Sequence, residues 1–165
     1  MSDVSLAVPH PMHYIGLRQI LARPSIRDLP ITGWRYLVVA EEEAVASSEV
    51  SVGTDRRPPL LEEINMGPFV RSTASAVRAL DELPEARSGR YELHTLQIPA
   101  LWSFLLWLRR LDGDDDLFIP LAPAPEFLQA GQVYREGDLL DVLEAPARFR
   151  LEFDASPPGS NGGNA

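Results

Sequence analysis

The chain has 165 residues, a formal net charge of −9, no cysteine, and fifteen basic residues that are all arginine. Disulfides, thiol catalysis and thiolate metal sites are therefore excluded, and without lysine so are a Schiff base and a Walker-type phosphate loop. An acidic chain with no basic stripe is a poor nucleic-acid binder, because phosphate contacts supply most of that affinity. The lysine-free, Arg/Ala/Pro-rich usage matches that of a GC-rich bacterial genome. The first residues lack the basic and apolar regions of a secretory signal, so cytoplasmic residence is the expectation.

Residues 1–11 read as a flexible arm in which Pro9 and Pro11 flank His10. A short helix is expected over 12–22, with Tyr14, Leu17, Ile20 and Leu21 on one side and Pro24 ending it. Aromatic and β-branched residues over 34–39 predict a strand, paired back with a second strand over 44–52. The stretch 53–59 reads as a linker. Gly67-Pro68 opens the clearest helix, over 68–83, since proline at the first helical position loses no hydrogen bond. Its apolar stripe is Phe69, Thr73, Ala76, Val77, Leu80 and Leu83, and Pro84 stops it.

Residues 93–108 form an uncharged run of sixteen, the expected centre of the fold. The run is shorter than the roughly 20 apolar residues of a membrane span, and Pro99 breaks it. Two segments result, 91–98 and 101–109. The second is read as a strand in preference to a helix over 100–111, because Asp112-Gly113 is turn chemistry and the apolar 117–121 stretch can return as its hairpin partner. A short helix is expected over 136–144. The alternation Arg148-Phe149-Arg150-Leu151-Glu152-Phe153 predicts a half-buried strand. Residues 154–165 have the composition of a disordered tail. The predicted fold class is α+β: a mostly antiparallel sheet of five to six strands, one well-defined helix (about 68–83) packed on a face, and two shorter helices, in a single domain over 12–153.

Motifs that carry chemistry are few. His10 and His13 form an H-x-x-H spacing that on a helix would share a face, but no spacing ties them to a third metal ligand. Asp112, Asp114 and Asp116 alternate like the start of a calcium loop, yet the glycine and glutamate that loop requires are replaced by Leu117 and Pro123, which favours a solvated turn. No G-x-S-x-G elbow surrounds Ser72, Ser75 or Ser103. Glu92 and His94, two apart on a predicted strand, would share one face and could orient an imidazole for acid–base work. Trp102, Trp107, Arg109 and Arg110 are the interface candidates, as Trp and Arg are enriched at binding hot spots. The sequence thus favours a non-enzymatic module, without cofactor or metal, that binds another protein or itself and neither nucleic acid nor membrane. The alternatives are a small enzyme or small-molecule binder using His94, and an acidic accessory subunit of a larger assembly.

Overall fold

The computed structural model describes residues 4–155. Its elements in chain order are β1 (Val4–Tyr14), α1 (Leu17–Ala22), β2 (Gly33–Ala40), β3 (Glu43–Ser51), β4 (Leu61–Asn65), α2 (Pro68–Ala79), α3 (Pro84–Arg87), β5 (Tyr91–Ile98), β6 (Ser103–Arg110), β7 (Leu117–Pro120), β8 (Tyr134–Arg135) and α4 (Glu136–Ala155). The fold is α+β, built on a mixed eight-stranded sheet of order β4-β3-β2-β1-β5-β6-β7-β8. β1 and β5 pair in parallel, and the other neighbours are antiparallel. No helix among the described residues is long and apolar enough to cross a membrane.

Strand alternation sends side chains to two separate cores. Leu96 and Ile98 of β5 and Leu105 and Trp107 of β6 face α1 and α4, where they meet Ile20, Leu139 and Leu143. Leu106 and Leu108 of β6 face the other way and join Leu117, Ile119 and Leu121, with Phe69, Val77 and Leu80 from the α2 side packed over them. The predicted hairpin across the acidic turn is present, so the strand reading of 101–109 holds against the helix.

Four expectations are corrected. The sheet has eight strands, where five to six were expected, because β1, β4 and β8 were not foreseen and 148–153 is helical. Residues 4–11, read as an arm, belong to β1, and only Leu17–Ala22 of the helix expected over 12–22 is helical. A bulge between Ala7 and His10, with Val8 at φ 51°, accommodates Pro9, and β1 pairs with β5 only from Met12 onward. Pro9 and Pro11 therefore sit where a missing ladder donor costs little. Finally, 148–153 continues α4 as a helix: the buried stripe Leu140, Leu143 and Ala147 extends at helical steps to Leu151, which outweighs a two-residue alternation only six residues long. Of the tail expected over 154–165, Asp154 and Ala155 belong to α4 and the remainder lies outside the described residues.

The acidic turn is only partly solvated. Asp116 is buried, and its carboxylate accepts hydrogen bonds from Trp107 Nε1 (2.9 Å), from the Arg110 backbone N–H (2.9 Å), and from Nε (3.0 Å) and Nη2 of Arg27. Arg27 Nη2 also donates to the Arg110 and Gly113 carbonyls, at 2.8 and 2.7 Å. One carboxylate thus joins the β6–β7 turn to the Ile26–Asp28 segment. Removing the buried Asp116 carboxylate leaves the buried Trp107 N–H without an acceptor and the part-buried Arg27 without its partner. Asp116→Ala is therefore expected to lower the unfolding free energy by about 3 kcal/mol in urea titrations, whereas Asp114→Ala, whose side chain is fully exposed, leaves the midpoint unchanged. Equal effects of the two substitutions would contradict this assignment.

Candidate functional site

The two sheet faces carry different polar groups. On the α4 face, His13 and His94 are both buried, in contact with each other and with the Trp107 ring. His13 Nδ1–H donates to the Leu29 carbonyl (3.1 Å), which leaves Nε2 to accept from His94 Nδ1–H (2.8 Å). The His94 Nε2 lone pair then faces Glu92 Oε1 at 3.2 Å, a contact without hydrogen-bonding geometry in the neutral state. A proton on His94 would satisfy both contacts. Burial opposes it, with His13 and Arg109 adding repulsion against the attraction of Glu92, so the His94 pKa falls from 6.5 to about 4. The Glu92–His94 pair anticipated from the strand spacing is thus brought together, with Glu92 at the surface and His94 sealed beneath it.

His10 lies on the opposite face. Three residues apart on a strand means opposite sides, so the H-x-x-H spacing that would share a face on a helix separates His10 from His13 here. Among the described residues no group of three or more His, Asp or Glu side chains is arranged to hold a metal ion. His10 is the inner end of a cross-strand row: His10 is opposite Arg35, Arg35 opposite Glu49, and Glu49 opposite Glu63. Arg35 is buried, with Thr73 Oγ1 and Ser47 Oγ each at 3.3 Å and Glu49 Oε1 at 3.7 Å. Burial lowers the Arg35 pKa and raises that of Glu49, each opposed by the attraction of the other. Burial, aided by Arg35, also lowers the His10 pKa to about 4.

The outer end of this row opens into a cavity of about 430 Å³. Its walls are Tyr14, Phe69, Pro99, Trp102 and Phe104, and its polar groups are Glu49, Glu63, Asn65 and Gln97. Apolar and aromatic walls with a few convergent polar groups are the usual make-up of a ligand site. Gln97 is held by its amide, which donates to Glu49 at 3.4 Å. A second cavity, of about 380 Å³, lies near α3 and β5, and its charged lining residues Asp81 and Arg87 are both exposed; nothing polar and buried converges on it.

The predicted interface residues do not form one patch. Trp102 is 80 % exposed and lines the cavity, whereas Trp107 is fully buried and belongs to the core. Arg109 is opposite Glu92, on the His94 face. Arg110 is held in the turn by Asp112 (2.9 Å) and lies over the Tyr91 ring. Sequence reasoning missed Tyr14, Arg35, Glu49, Glu63 and Gln97. Glu49 and Arg35 carried one signal, a charged residue at a buried position of a strongly predicted strand.

The buried histidines make a pH dependence. For His10 and His94 the unfolded chain takes up a proton near pH 6.5 and the folded one only near 4, so their contribution is complete above 6.5 and is lost as pH falls through that window; His13, also lowered by burial, acts in the same sense. Glu49, raised by burial, acts in the opposite sense. Urea titrations of the wild type are expected to show stability falling by on the order of a few kcal/mol between pH 6.5 and 4. In His94→Asn the slope is shallower; an unchanged slope would mean that His94 does not titrate as assigned. Comparisons of the chain with protein-family models, curated proteins and solved structures find no match.

Proposed function

We propose that this chain is a non-enzymatic binding module that holds another protein through the surface around Trp102. The observation that carries the reading is Trp102 itself: an indole 80 % exposed, on a backbone with φ 49°, at the rim of the cavity. Positive φ is unfavourable for a bulky side chain, and an exposed indole gains little from its own fold in return. Asn65 of the edge strand β4 lines the same cavity, beside Phe69 and Phe104. Apolar surface rimmed by polar groups is the usual mark of a protein-interaction site. Against the enzyme reading, His94 is buried beneath Glu92, and a substrate would have to displace Glu92 to meet its free nitrogen.

Native mass spectrometry of the protein, isolated gently from its own host, tests the proposal when Trp102→Ala is run beside the wild type. The expected result is a partner chain, or a second copy, retained by the wild type and lost from Trp102→Ala, whose thermal midpoint stays within a few degrees. Trp107→Ala is expected to lose roughly 3–5 kcal/mol of stability through the cavity it leaves. A wild-type protein that carries a small-molecule mass and no partner chain would overturn the binding-module reading.

A further inference from the structure

We infer that the cavity beneath Trp102 receives the guanidinium group of an arginine side chain carried by the partner protein. This inference rests on the binding-module reading and specifies its chemistry. Along the cross-strand row, Glu49 lies between the positive Arg35 and a second carboxylate, Glu63. Like charges directly opposite on paired strands are unfavourable; Arg35 attracts both carboxylates but makes a close contact only with Glu49. Among the described residues no arginine comes within 4 Å of the Glu63 carboxylate, whereas Arg35 is 3.7 Å from Glu49. The cavity lining contains no cation. Glu62 adds to the same field: the Tyr14 phenol at the cavity is held above its usual pKa by burial and then by Glu49, Glu62 and Glu63. Two neighbouring carboxylates, buried Glu49 and exposed Glu63, thus border a space lined by aromatic rings and by no cation.

The type of cation follows from those walls. Metal ions are disfavoured, since calcium and magnesium need about six oxygen ligands and half of this lining is aromatic or apolar. A guanidinium is planar and weakly hydrated, stacks on aromatic faces and forks onto carboxylates. Tyr14, Phe69, Trp102 and Phe104 supply rings, Phe69 and Phe104 packed on each other at 4.4 Å, and Glu49 and Glu63 supply the carboxylates. Lysine meets the charge requirement but stacks less well and gives up more hydration. Arginine on a partner also fits the chain's net charge of −9, which favours association with a basic surface.

The test titrates the 15N-labelled full chain with blocked tripeptides, Ala-Arg-Ala and its isosteric, uncharged citrulline analogue. The Trp102 indole and Gln97 side-chain amide NMR signals are the readout. A saturable shift with the arginine peptide is expected, at least tenfold tighter than with citrulline. Glu63→Gln, at an exposed position, is expected to weaken the arginine peptide roughly tenfold and leave the citrulline peptide unchanged. Equal binding of both peptides, or no saturable shift from arginine, would overturn the inference. So would a native partner that Trp102→Ala releases and Glu63→Gln holds with unchanged affinity and salt dependence, although that outcome keeps the binding-module reading intact.

Discussion

The Asp116 carboxylate is the constraint on which the α4 side of the molecule depends. It accepts from Arg27, from the Trp107 indole and from the Arg110 backbone. Arg27 sits in the same short segment as Leu29, whose carbonyl receives the His13 ring, and Trp107 packs against both imidazoles. The contacts close a loop: Asp116 to Arg27, along the chain to Leu29, to His13, to Trp107, and back. A buried network of this kind is worth having only when every member is satisfied. Here the single unmet contact, between His94 and Glu92, is at its outer edge, where Glu92 reaches water.

The other sheet face is arranged differently. Its polar row starts from His10, kept neutral by burial, passes through Arg35, and ends at carboxylates that open into a cavity. One face is closed around neutral imidazoles; the other is open and places two carboxylates beside aromatic rings. Burying Arg35 and Glu49 at a distance of 3.7 Å is a poor stability device, because desolvation of such a pair can exceed its Coulombic gain. The proposed role in recognition would give the row a reason that stability does not.

Much of the central sheet was legible because its signals are local. Proline at 99, turn chemistry at Asp112-Gly113 and β-branched runs place β2, β3, β5, β6 and β7, and Gly67-Pro68 marks α2. β1 was not legible, since Pro9 and Pro11 read as loop until the bulge at Val8 shows how a strand carries them. In α4 a six-residue alternation masked a longer helical stripe, which runs through Pro146 to Leu151. Asp116 looked like its neighbours in the turn; only the fold distinguishes the one aspartate that meets an indole and a guanidinium. The cavity was hidden for a different reason. Tyr14, Glu49, Glu63, Gln97 and Trp102 come from five separate segments, and only strand order and register bring them together.

The central claim is that the open face works while the histidine face only stabilises. Amide hydrogen exchange of the protein, free and with its partner bound, tests this most directly. The account predicts added protection over Leu61–Asn65 and over residues 99–104, with α1, α4 and the amides around His13 and His94 unchanged. Protection centred on α4 or Glu92, with the Trp102 turn unaffected, would contradict it and move the working surface to the opposite side of the sheet.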